Sequence, residues 1–324
     1  MAEARTVIYS NLLHLSYNMW GDWEYPNWGR YWCAKPYLRF DQSLWDDLLK
    51  AMAASGLNQV VIDLGDAVEY ESAPSVRVEG AWSARKLRDE LRKCRDMGLE
   101  PVPKMNFSAC HDAWLGKYSR MVSTDEYYAV VKGLIEEAIE LFSEKDRPRF
   151  FHLGMDEEEP HHQHTFQYIV SRQFDLWWRD VLWMCGIVEA KGVRPWIWSD
   201  YVWNHTQEFY QRMPRTVVQS NWYREPVRGP DRSVYGGEFS MDIECVRTYV
   251  ELDKAGYDQI PTVSNWRTPE NIYGTINFCR QHLSKERLLG YILTPWAPAL
   301  EAERAKHVDA IEHFAKAIKG DSSP

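Results

Sequence analysis

The chain has 324 residues, 45% hydrophobic and 26% charged, a balance that excludes a disordered protein and is ample for a buried core. Its formal net charge of −9 argues against a nucleic-acid partner and against anionic membrane surfaces, and neutral or cationic small molecules fit better. The 16 Trp and 18 Tyr are partly absorbed by core packing, yet flat apolar rings with a polar edge also match the C–H faces of sugars. Cys33, Cys94, Cys110, Cys185, Cys245 and Cys279 are scattered without a CxxC, so free buried thiols are expected. The N-terminus lacks a basic region followed by an apolar run, and no stretch has the length of a membrane span. A cytoplasmic location is expected unless a leader has been removed.

Strand and helix patterns alternate along the chain. Thr6 to Leu15 reads as a first strand, followed by aromatic loop material from Tyr17 to Tyr37 with Trp20, Trp23, Trp28 and Trp32. Ser43 to Ser55 is an amphipathic helix, with Asp41 as its expected cap and Gly56 as its stop. Asn58 to Leu64 is a second strand, apolar on both faces as parallel strands are. A helix over Ser83 to Met97, a strand over Glu100 to Phe107 and a long helix over Asp125 to Phe142 follow. Phe150 to Gly154 is the fourth strand, Gln167 to Lys191 a helix, Arg194 to Ser199 the fifth strand and Thr216 to Asn221 the sixth. Ile243 to Ala255 is a helix, Gln259 to Ser264 the seventh strand and Glu270 to Leu283 a helix. Leu289 to Thr294 is the eighth strand and His307 to Lys319 the terminal helix. Eight strands interleaved with helices predict a (β/α)₈ TIM barrel, taken as a single domain over residues 1–324. A doubly wound open sheet is the alternative, but no glycine-rich phosphate loop follows the first strand.

In such a barrel, chemistry concentrates beyond the strand ends. Strand one delivers Asn11 and His14; strand two, Asp63, Asp66 and Glu69; strand three, Lys104, Asn106 and His111. Strand four delivers His152, Asp156 and Glu157; strand five, Trp198, Asp200 and Trp203; strand six, Asn221, Trp222 and Tyr223. Strand seven delivers Asn265, Trp266 and Arg267, and strand eight Trp296. Carboxylates and aromatics on one rim, with no cofactor motif, suit hydrolysis of a glycosidic bond. The richest segment is Arg149 to Pro160, in which an apolar strand runs through Gly154 into Asp156-Glu157-Glu158-Glu159. Two adjacent acids repel, so one of Asp156 and Glu157 is expected to have a raised pKa, as a general acid near neutral pH requires. Asp63, Asp66 and Asp200 equally suit helix caps or salt bridges, and Glu158 and Glu159 are expected to be solvated or to support the pair from outside. His161, His162 and His164 lack helical HExxH spacing and follow Pro160, so they are read as a loop lining the cleft, with no metal site expected.

His152-Leu153-Gly154-Met155-Asp156-Glu157 fits the H-x-G-x-D-E signature and resembles family 20 glycoside hydrolases, the β-N-acetylhexosaminidases. The segment 98–103 with His111 looks like that family's third strand, Trp198-Ser199-Asp200 its W-x-E, 218–222 its sixth strand and 289–296 its eighth, so the likeness runs from about residue 58 to 300. The resemblance implies a retaining enzyme that releases N-acetylhexosamine by substrate-assisted catalysis, the substrate's own 2-acetamido oxygen attacking the anomeric carbon. Glu157 would then be the acid/base and Asp156 the stabiliser of the acetamido nitrogen. Trp198, Trp222 and Trp296 would wall the pocket, His111 and His152 would position the acids, and Asp200, Tyr223 and Trp266 would join in binding the carbohydrate. The chain departs from the pattern in four places, one being the W-x-E acid, which is Asp200. Asn11 and His14 stand where the family has a sugar-gripping Arg, Pro298 where it has a Glu, and the acetamido-binding Tyr has only Tyr235 and Tyr273 as candidates. Two further readings remain open: a glycosidase with a separate carboxylate nucleophile, Asp200 or Glu238, and a non-catalytic carbohydrate-binding barrel.

Overall fold

The computed structural model describes residues 6–24, 29–227 and 240–321, with side chains of the last segment from residue 243. Trp28, Tyr235 and Glu238 lie outside the described residues. Eight strands alternate with helices: β1 Ile8–His14, α1 Gln42–Ala54, β2 Gln59–Asp63, α2 Ala84–Asp96, β3 Glu100–Lys104, α3 Asp125–Phe142, β4 Phe150–His152, α4 Asp175–Ala190, β5 Arg194–Trp198. Two short helices follow, α5 Tyr201–Asn204 and α6 Thr206–Arg212, then β6 Val218–Ser220, α7 Ser240–Lys254, β7 Thr262–Val263, α8 Glu270–His282, β8 Gly290–Leu293 and α9 Arg304–Lys319. All pairings are parallel, in the order β6-β5-β4-β3-β2-β1-β8-β7. The remaining seam is closed by backbone bonds just before β7: Gln219 N to Asp258 O, Ile260 N to Gln219 O and Thr262 N to Asn221 O, each 3.0 Å. This is the expected (β/α)₈ barrel.

Side-chain alternation divides each strand between two cores. Leu13, Val60, Ile62, Phe151 and Ile197 point outward against the helices, and Trp45, Leu87, Leu134, Val181 and Phe314 meet them from that layer. Ile8, Leu12, Val61, Val102, Phe150, Trp196, Val218 and Ile292 fill the barrel interior. The next inward position on the first four strands is polar. His14, Asp63, Lys104 and His152 sit side by side in register, so the topmost interior layer carries charge. Lys104 donates to Asp63 Oδ2 at 2.5 Å, and His14 Nδ1 lies 3.3 Å from the same oxygen. Asn11 has the opposite parity: its amide points outward to Met52 Sδ at 3.5 Å, so it does not face the barrel mouth as expected.

The helix expected from Gln167 begins at Asp175. A 3₁₀ turn occupies Pro160–Thr165 instead, and Gln163 ties the following loop through Val170 N and O, both at 2.9 Å. The helices at 201–204 and 206–212 were not anticipated, being too short to show a period. Cys94, Cys110, Cys185, Cys245 and Cys279 are buried free thiols, and Cys33 is partly exposed. No helix among the described residues is long and apolar enough to cross a membrane.

Candidate active site

The β4 end departs from strand geometry at once. Gly154, Met155 and Glu157 all have positive φ, at 75°, 76° and 56°. In a continuing strand, neighbouring side chains would point to opposite faces. The left-handed turns break that alternation and bring both Asp156 and Glu157 to one histidine. His111 Nε2 lies 3.5 Å from Asp156 Oδ2 and 3.1 Å from Glu157 Oε2. A left-handed non-glycine residue costs on the order of 1–3 kcal/mol and persists only where its surroundings fix it. Here Asn106 Oδ1 accepts the Met155 N–H at 3.2 Å, Asn106 Nδ2 donates to Asp156 at 2.8 Å, and Asp200 Oδ2 accepts the Glu157 N–H at 2.8 Å. Position 154 must be glycine on two counts: its φ, and the fact that a Cβ there would lie 2.0 Å from Asn106 Oδ1.

The charge distribution around the pair differs from expectation. Burial alone would raise the Glu157 carboxyl, but the hydrogen bond and charge of His111, then Arg224 and His162, outweigh it and hold the group down at about 2. Arg224 Nη2 donates to Glu157 Oε1 at 2.5 Å, and His162 Nε2 is 3.8 Å from that oxygen. Burial would lower His111, but Asp156 and Glu157 overcome it and push it up to about 9, so His111 is an imidazolium. Asp200 is driven well above its ordinary value by burial and then by the charge of Asp156.

Of the residues proposed from sequence, His111, Asp156, Glu157, Trp198, Trp222, Tyr223, Trp266 and Trp296 line one pocket over the barrel mouth. Trp198 and Trp296 lie 5.8 Å apart, and Trp296 itself is left-handed, at φ 51°. Asp200 and His152 do not line it. Asp200 is buried behind the wall, with Oδ1 accepting from Trp222 Nε1 at 3.3 Å. His152 lies beneath the floor, 4.3 Å from the Trp198 ring. Its Nδ1 accepts the Gly154 N–H at 3.0 Å, and burial holds it neutral. It therefore supports the Gly154 turn and makes no hydrogen bond to either acid. His162 and His164 line the cleft as expected. Glu158 is not solvated: it pairs with the buried Arg172 and accepts from Ala109 N at 3.0 Å. Asp63 and Asp66 cap no helix, Asp66 accepting instead from Ser16 at 2.6 Å and Asn18 at 2.9 Å. Tyr273 bonds His313 Nδ1 at 2.9 Å on the helix layer, away from the pocket.

Three features escaped the sequence. Trp20 and Trp32, stacked 5.8 Å apart, close the side of the pocket above β1, and Trp20 meets His111 edge-on at 4.9 Å. Asn106 was placed at the strand-three end without a role; its position, two residues past Lys104, is the only signal for it. Arg224 follows Trp222-Tyr223, and nothing in that local pattern marks a partner for Glu157. His111, Asp156 and Glu157 could jointly reach a metal ion by distance. A cation there would have to displace the proton that these two acids hold on His111.

No protein-family model and no curated protein sequence matches the chain. Among solved structures, N-acetyl-β-hexosaminidase from Streptomyces plicatus, in complex with Thio-NAglucal, is 13% identical at a TM-score of 0.63, covering 95% of this chain and 62% of that one. The tandem GH20 catalytic modules of the pneumococcal exo-β-D-N-acetylglucosaminidase match at 11% identity and a TM-score of 0.58, over 96% of this chain and 84% of theirs. Flavobacterium johnsoniae chitobiase matches at 16% identity and a TM-score of 0.57, over 86% of this chain and 51% of its own. The chain thus spans about half the length of the chitobiase. At such identities the likeness is one of fold.

Proposed function

We propose that the protein is a retaining glycoside hydrolase that releases N-acetylhexosamine residues by substrate-assisted catalysis. The observation that carries this reading is the turn that brings Asp156 and Glu157 to one histidine at the mouth of an aromatic pocket. Glu157 protonates the leaving oxygen and later activates water. Asp156, held by Asn106 and His111, faces the acetamido nitrogen as positive charge develops there. Trp198, Trp222 and Trp296 wall the sugar and its acetyl group. The solved structures of like fold are named as hexosaminidases, which supports the same chemistry. The test is turnover of an aryl N-acetyl-β-hexosaminide by wild type and Glu157→Gln. The reading expects hydrolysis by the former and its loss in the latter, and full retention in the variant would sink it.

Asp200 fits less well as a separate carboxylate nucleophile, because both its oxygens are turned to Glu157 N–H and the Trp222 indole, and Glu238 lies outside the described residues. One observation favours a non-catalytic sugar-binding barrel: Glu157 is held by cations at both of its oxygens, a poor state for a proton donor. Binding without turnover across a panel of glycosides would select that reading.

A further inference from the structure

The Arg224–Glu157 contact is at odds with acid catalysis. An acid must be protonated and must turn an oxygen to the glycosidic bond. In the structure, Glu157 Oε1 instead receives Arg224 at 2.5 Å and Oε2 faces His111 at 3.1 Å. Arg224 has freedom to leave. Its guanidinium lies over the Trp222 ring at 4.7 Å with the side chain 45% exposed, so it can slide along an aromatic wall of the pocket while keeping that contact. Among the described residues it has no second carboxylate to turn to. Among the described residues, each acid near it is engaged. Asp156 holds Asn106 and His111, Glu159 holds His162 and Asn204, Glu225 pairs with Arg267 at 2.7 Å, and Asp200 is buried. A neutral glycoside would leave Arg224 on the acid; an anionic one would draw it off.

We propose that Arg224 selects substrates whose leaving group carries an anionic substituent, a carboxylate, sulfate or phosphate, and that binding this anion frees Glu157 to act as the acid. The inference rests on the proposed hydrolase reading and adds the substrate class to it. The side of the bond follows from position. Glu157 addresses the glycosidic oxygen, and Arg224 touches the same carboxylate, so the anion sits on the sugar or aglycone that departs. His162, 3.8 Å from Oε1, adds positive charge to that side when protonated. Arg suits the task because its planar fork binds an oxyanion through two parallel hydrogen bonds.

The test compares N-acetylglucosaminyl-β-glucuronic acid with its neutral glucose counterpart, with 6-sulfo and 6-phospho derivatives of the latter as separate arms. Wild type is expected to show at least about tenfold higher kcat/KM for one or more anionic substrates, with the best arm identifying the anion. In Arg224→Gln that preference collapses, while neutral turnover rises and its basic pH limb moves upward. The limb belongs to Glu157, which His111, Asp156, His162, Asp200, Glu159 and Arg224 all face or approach; only the last has changed. Equal kcat/KM for neutral and anionic substrates in wild type, or an equal loss on both in Arg224→Gln, overturns the proposal. Binding separates this failure from that of the hydrolase reading. In Glu157→Gln, the anionic disaccharides should bind at least about tenfold tighter than the neutral one by calorimetry, and equal Kd values overturn the proposal even if wild type turns over neither.

Discussion

The two sides of the barrel mouth are built on different plans. Above β3, β4 and β5 the side chains form a closed polar network: Asn106, His111, Asp156, Glu157 and Asp200 each touch at least one other member. Above β1 and β8 the mouth is aromatic, walled by Trp20, Trp32 and Trp296, with Pro298 bridged to His14 below. The polar side fixes its left-handed turns with side-chain hydrogen bonds, and the aromatic side, where Trp296 is also left-handed, offers apolar faces and few donors. On the proposed reading, reaction type and sugar recognition can change separately on one scaffold, and the β4 motif bears more on the first than on the second.

The largest effect expected is on the polar side. Glu157→Gln removes the proposed general acid and should lower kcat by roughly 10²–10⁴-fold with little change in KM, read with an aryl N-acetylhexosaminide. If the loss falls on KM instead, the polar network is a binding device and the contrast between the sides breaks. Next is the floor on which both sides stand. Lys104→Met strands the buried Asp63 carboxylate and should cost about 3–5 kcal/mol of stability, measured by denaturant melts. Burial alone would raise Asp63, but Lys104 and then His14 hold it below its ordinary value, so its stabilisation is present above the unfolded pKa and lost as pH falls through the folded one. With Lys104 gone, acid-side loss should begin at higher pH. An unshifted acid limb would mean that the pair contributes nothing to folding.

Asp200→Ala should come third. It leaves the Glu157 N–H without its acceptor, at about 1–3 kcal/mol, and should lower kcat more than it alters KM. Asp200→Asn, which keeps a carbonyl for that N–H, should recover most of the loss. If Asn is as poor as Ala, the carboxyl has chemistry of its own and the nucleophile reading returns. The smallest effect belongs to the aromatic side: Trp32→Ala should raise KM by roughly three- to tenfold, on the scale of ~0.5–1.5 kcal/mol for an aromatic contact, and leave kcat nearly alone.

The barrel was legible because each strand is a short apolar run bounded by polar or glycine residues, and α3 carries its apolar face over all of Asp125–Phe142. β7 was read as six residues but pairs as two, because its first half closes the barrel seam through single bridges. At the site, the motif marked Asp156 and Glu157, but the left-handed backbone at Gly154, Met155 and Glu157 that brings both to His111 has no signal beyond the glycine. The expectation that adjacency raises one of the two acids left out the positive charge that holds Glu157 down. His111 and Arg224 come from β3 and β6, and their approach to Glu157 is a tertiary fact with no local pattern. Asp200, read as a ligand for the sugar, takes the raised value because it is buried beside Asp156.

The central claim is that the substrate's 2-acetamido group is the nucleophile. Its most direct test compares aryl N-acetyl-β-glucosaminide with the matching aryl β-glucoside, which differs only at C2. The account predicts turnover of the first and none of the second, with Asp156→Asn impairing the first. Comparable hydrolysis of the glucoside would contradict it and require a nucleophile supplied by the protein.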